Sequence, residues 1–167
     1  MVVEARVAQA LWLTPNSPAQ SVRGTILAGA EFVQLRRVWY ELDQAGLDAL
    51  ESRAWAVPHE IAGQLRLEFD DADAAYISAV QRLGSFCTDY GSKSRFVSRL
   101  PHEREISSHP LWTPLIGSSI HLAFLDASRQ VVTIRSPSQR IYCCSWQAGS
   151  WEADQLVVCR SLPKPAA

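Results

Sequence analysis

Leu65-Arg66-Leu67-Glu68-Phe69-Asp70-Asp71-Ala72-Asp73-Ala74-Ala75-Tyr76-Ile77-Ser78-Ala79-Val80 is the stretch on which the fold turns. Leu65, Leu67 and Phe69 alternate with Arg66 and Glu68, the period of a strand with one buried face. Asp70, Asp71 and Asp73 then crowd into a few positions. Short carboxylate side chains bond nearby backbone amides and suit a tight turn. Ala74 to Val80 returns as a partner strand, so the stretch reads as a β-hairpin.

The return strand has an echo. Tyr76-Ile77-Ser78-Ala79-Val80-Gln81 reappears 66 positions on as Tyr142-Cys143-Cys144-Ser145-Trp146-Gln147. Each copy follows a strand-like run, Leu65 to Phe69 and then Val131 to Ile134. Further upstream each has a Gly leading into an apolar stretch, Gly24-Thr25-Ile26-Leu27 and Gly117-Ser118-Ser119-Ile120. A repeated unit of this kind predicts two related β-rich halves in one domain. The expected fold is therefore α+β, mainly antiparallel β, with two pseudo-repeated halves and a helical insertion in the first. The first half covers about 1–82, a connection about 83–110, the second half about 111–162, and a frayed tail 163–167.

Between the signature strands the pattern changes. Thr25 to Tyr40 is rich in branched and aromatic residues, which favours one long strand or two joined by a kink. Arg36 and Arg37 belong at a turn or an exposed edge. Leu42, Leu47, Leu50 and Ala54 approximate a helical stripe that Pro58 stops. Leu83 to Pro110, with two glycines and several basic residues, is expected to be an irregular connection. Ile120 to Leu125, Val131 to Ile134, Ile141 to Trp146 and Leu156 to Cys159 are expected strands.

The chain has 167 residues, enough for one domain with a real core; its 47% apolar and 20% charged content is that of a globular protein. Six tryptophans are spread along it, and most are expected in the core or half-buried. No apolar run approaches a membrane span. Glu4 precedes any apolar run and no basic region opens the chain, so a cytoplasmic location is expected and a secretory signal is not. Cys87, Cys143, Cys144 and Cys159 show no C-x-x-C pair and no metal-ligand spacing, so they are expected as buried thiols.

Charge is unevenly placed. Glu41 to Asp73 contains nine acidic residues against Arg53 and Arg66, whereas Ala74 onward is net basic. A local acidic surface steers a basic partner and repels nucleic acid.

Three constellations bear on chemistry. Cys87 with His102 or His109 is a conceivable nucleophile and base, without a flanking signature. Asp70, Asp71 and Asp73 resemble cation ligands, but the EF-hand loop's central Gly and closing Glu are missing. Glu103-Arg104-Glu105 near His102 and His109 is equally well explained as a solvated loop. No phosphate-binding or nucleophile-elbow motif is present. No catalytic residue, cofactor or metal is therefore expected, and neither nucleic acid nor membrane is an expected partner.

The chain resembles the small bacterial immunity proteins that neutralise polymorphic or secretion-system toxins. The resemblance rests on Leu65 to Asp71 leading to Ala75-Tyr76-Ile77-Ser78, on Trp112 to Gly117 leading to Ile120, and on Asp154 to Val158. It implies an inhibitor that covers the active site of a cognate toxin with a basic cleft. Asp70, Asp71, Asp73, Glu68, Glu51 and Asp48 are then the expected partner-binding carboxylates, with Trp55, Trp39 and Tyr40 as anchors. Two other readings stand beside it: an enzyme or small-ligand binder with a pocket between the halves, and a structural or adaptor subunit.

Overall fold

The computed structural model describes residues 30–32, 34–70, 73–82, 85–94, 102–125, 130–145 and 155–162. Among these residues the chain runs β1 (Ala30–Phe32), β2 (Leu35–Leu42), α1 (Gln44–Ser52), β3 (His59–Phe69), β4 (Ala74–Arg82), β5 (Ser85–Gly91), β6 (His102–Glu105), β7 (Ile120–Phe124), β8 (Val131–Arg135), β9 (Arg140–Cys144) and β10 (Gln155–Cys159). A 3-10 turn, Thr113–Leu115, precedes β7. No helix among the described residues is long and apolar enough to cross a membrane.

The hairpin that opened the sequence reading is present. β3 and β4 pair antiparallel, and the Phe69 amide donates to the Asp73 carbonyl at 3.0 Å. Leu65, Leu67 and Phe69 are buried while Arg66 and Glu68 keep partial exposure, as their alternation predicts. All described pairings are antiparallel, in the order β1-β7-β8-β9-β10-β3-β2-β6, with β4 and β5 branching from β3. The sheet curls into a half-barrel. Curling brings β5 towards β8, where the Thr88 hydroxyl donates to the Gln130 carbonyl at 2.7 Å and Tyr90 packs on Phe124.

β3 is the strand that makes this possible. Its residues 59–62 pair with β10, residues 64–68 pair with β4, and β2 runs beside it from Gly63 to Phe69. The change of partner falls at Gly63. A Cβ there would lie 2.0 Å from the Glu41 carbonyl oxygen, and φ is +157°, so a side chain has neither room nor a favoured backbone. Leu65 and Leu67 of β3 join Val38, Tyr40, Leu42, Ile134, Ile141 and Leu156 in one core. Burying each such leucine stabilises by about 1.5–3 kcal/mol.

Four expectations are corrected or refined. The stretch expected as an irregular connection carries β5 and β6. Cys87, Thr88, Asp89 and Tyr90 of β5 are all buried, so no alternation marks it; β6 is His-Glu-Arg-Glu and has no apolar face. The kink expected within Thr25 to Tyr40 separates β1 from β2, and Arg36 and Arg37 lie exposed at a register shift in β2. The helical stripe is shorter than expected. Asp43 caps α1 through the Gly46 amide and Leu50 is buried, but Ala54 lies beyond the helix in the left-handed region at φ +52°. Finally, Tyr76 and Tyr142 both lie on the middle strand of a meander, β3-β4-β5 and β8-β9-β10. Beyond that local likeness two pseudo-repeated halves are not shown, and β10 joins the one sheet by pairing with β3. Gly24 to Leu27 and residues 163–167 lie outside the described residues.

Candidate functional site

Pairing register fixes which side chains share the face of β6-β2-β3-β4-β5 opposite the core. One row runs Glu105, Trp39, Arg66, Tyr76 and Gly91; the next runs Glu103, Glu41, Gln64, Ser78 and Asp89. The second row holds three carboxylates and no cation. Its members on β2 to β5 are buried, with Glu41 6% and Asp89 1% exposed. Just beyond β5, Ser94 Oγ accepts from the Gln64 side-chain amide at 2.6 Å.

Arg66 answers this row from its neighbour. Its guanidinium lies 2.7 Å from Glu41 Oε1 and 3.5 Å from both Glu103 oxygens, and its Nε is 3.3 Å from Glu68 Oε1. The guanidinium carbon sits 4.9 Å over the Trp39 ring, within cation–π range. Burial works against the Arg66 charge, yet Glu41, then Glu103 and Glu68, outweigh it and hold the guanidinium above its ordinary pKa. Among the described residues three carboxylates surround this one guanidinium. Gln64 also donates to the second oxygen of Glu41, so that carboxylate is fixed from two sides. The Trp39 indole nitrogen is buried without a hydrogen-bond partner.

The sequence-predicted partner residues fall in several places. Glu68 and Trp39 share this outer face. Asp70 is exposed at the hairpin turn, paired with Arg36. Asp73 is exposed nearby, and Asp71 lies outside the described residues. Glu51 and Asp48 are on α1, where Arg104 pairs with Glu51 and Gln44 donates to Asp48 at 2.5 Å. Arg104 projects from the opposite face of β6 from Glu103 and Glu105, so α1 adds nothing to the Arg66 cluster. Tyr40 is corrected outright: it is 0% exposed and cannot meet a partner. Trp55 is half-buried against the core side.

Tyr40 instead belongs to a buried polar network. Its hydroxyl is 2.6 Å from His59 Nδ1 and accepts from Trp112 Nε1 at 3.1 Å. His59 Nε2 and His109 Nε2 both reach the Trp55 carbonyl, at 3.0 and 3.2 Å, and the two imidazoles are 4.6 Å apart. His109 Nδ1 accepts the Leu111 amide at 3.1 Å. These bonds are satisfied together when both imidazoles are neutral with the proton on Nε2. Burial drives the His59 pKa down to about 4, with the Trp55 carbonyl opposing and His109 assisting. Burial likewise raises the Tyr40 phenol well above its ordinary value. Neither group is exposed to a substrate, and the network ties the Trp55 loop to residues 109–112. Both His109 nitrogens are engaged, so His109 is not a free base for Cys87.

The four cysteines are buried and form no disulfide. Burial raises the Cys143 pKa, and a bond with Cys144 together with burial raises that of Cys159, so thiolate chemistry is suppressed there. Among the described residues no three His, Cys, Asp or Glu side chains group as metal ligands. A cleft of about 190 Å³ lies beside α1, between Asp43, Gly46, Arg53, Glu60 and Gln155 of β10. No family model, curated protein or solved structure matches this chain, so its functional reading rests on these residues alone.

Proposed function

We propose that this protein is a protein-binding inhibitor of the immunity type, holding a basic partner against the outer face of β6, β2 and β3. The observation that carries the reading is the cluster of Glu41, Glu68 and Glu103 on the single guanidinium of Arg66, above Trp39. Glu105 extends it on the same face. Among the described residues such a cluster holds more carboxylates than cations, and an aromatic ring lies beside it. Charged faces set association rate and partner choice, and an aromatic beside a carboxylate is the usual composition of a binding anchor. The resemblance to toxin-neutralising immunity proteins supplies the partner class, and a cytoplasmic location belongs to the same proposal.

The test is affinity capture with the tagged chain, followed by association kinetics with the purified partner. A stoichiometric basic partner is expected, with association slowed about tenfold by Glu68→Lys plus Glu105→Lys and unchanged by Glu51→Lys on α1. Capture of no partner, or equal rates for all three proteins, overturns the proposal. A second reading, a small-ligand binder, is favoured by the cleft beside α1, which spans β3 and β10. At about 190 Å³ it is smaller than the ~300–1,000 Å³ typical of ligand pockets.

A further inference from the structure

β8 and β9 meet in a hairpin whose closing pair is Arg135 and Arg140, directly across from one another. Both are exposed. Like charges in this arrangement repel. Among the described residues neither guanidinium lies within ion-pair distance of a carboxylate. Arg135 donates to His121 Nδ1 at 2.9 Å, and Arg140 has no side-chain partner. Glu31 stands next along this row, across from His121 in the register of β1, one strand further from Arg140.

The loop between the arginines is held in place. The Ser136 amide donates to the Gln139 carbonyl at 2.8 Å, and Ser136 Oγ accepts the amides of Ser138 and Gln139 at 3.3 and 3.1 Å. Gln139 Nε2 donates to the Leu111 carbonyl at 3.1 Å, which anchors the loop to the body of the protein. A shallow cleft of about 360 Å³ is lined by the two arginines, this loop and Tyr142, which lies two residues beyond Arg140 on the same face of β9.

We propose that this hairpin is a binding site for a phosphate-type oxyanion. Two arginines held directly across from one another by the hairpin register offer planar forks that match phosphate oxygens. A dianion between them replaces their repulsion with two favourable contacts, while Tyr142 and the loop hydroxyls offer further donors. The site lies on different strands from the Arg66 cluster and does not depend on it.

The experiment titrates inorganic phosphate into the full chain, with chloride balancing ionic strength, and follows backbone amide resonances and the unfolding temperature. Saturable shifts confined to residues 135–142 and a rising Tm are expected. Arg140→Gln is expected to weaken binding about tenfold, the loss of one charge-assisted contact, and Arg36→Gln to leave it unchanged. Parallel titrations with O-phosphoserine and adenosine monophosphate distinguish a phosphorylated side chain from a nucleotide as the source. A non-saturating response, a response equal in chloride, or full binding by Arg140→Gln overturns the proposal. Both substitutions are at exposed arginines, and circular dichroism of each variant confirms that the fold is kept.

Discussion

His59 has both ring nitrogens committed to bonds that only its neutral form satisfies together. Its pKa is about 4 in the fold against an ordinary 6.5, so between those values the unfolded chain binds more protons. The stability it contributes is present above pH 6.5 and is lost as pH falls towards 4, by about 3 kcal/mol over the whole window. Denaturant unfolding across this range is expected to show that slope. His59→Gln is expected to lower stability at pH 7 and flatten the slope; an unchanged slope would assign the titration to another group. The sequence contains no sign of this network. Cys87, His102 and His109 attracted notice by neighbourhood along the chain, whereas the working pair, His59 and His109, is joined only when β2 and β3 carry Tyr40 and His59 into the core beside Trp112. Trp55, at φ +57°, bends its carbonyl to where both imidazoles reach it. A left-handed Trp is unfavourable by itself and is fixed by these bonds.

At the scale of elements, legibility followed the burial of faces. β3 was visible because one face is buried and the other is not. β7 to β10 were visible because short apolar runs stand between turn residues. β5 is buried on both faces and β6 on neither, and in both cases the alternation that marks a strand vanishes. The pivot in β3 was equally invisible, since only the approach of the Glu41 carbonyl shows why residue 63 lacks a side chain. Gly63→Ala is expected to cost about 2–3 kcal/mol or to prevent folding, because β2 must move off β3 to admit the methyl group. Gly46 is the control. A Cβ there meets Asp43 Oδ1 at 3.1 Å and the Ala62 Cβ at 3.2 Å, mild crowding that better helix propensity offsets. Urea melts of Gly46→Ala within about 1 kcal/mol of the parent, beside a severe Gly63→Ala, are the expected result; equal effects would remove the pivot.

Across the whole molecule, the acidic surplus of Glu41 to Asp73 was legible but its meaning was not. Arginines from outside the segment take up part of it: Arg36 pairs with Asp70 and Arg104 with Glu51, while Arg53 and Arg66 act from within. What remains concentrated is the Arg66 cluster, which arises from register across β2, β3 and β6 and cannot be seen in a linear count. The opposed arginines of the β8–β9 hairpin give the molecule a basic station as well. The strand order carries one more consequence, and it concerns synthesis. β3 leaves the ribosome well before β10, the strand that lies between it and β9. Until then residues 59–62 and the inner edge of β9 are unpaired edges that invite other chains. A polypeptide halted before residue 155 is expected to aggregate or be held by chaperones, and adding a peptide of residues 155–162 is expected to restore solubility. A soluble, monomeric halted chain would show that the sheet closes without β10. From the making of β3 until the making of β10 the growing chain is therefore an open template, and it becomes safe only when β10 fills the middle of the sheet.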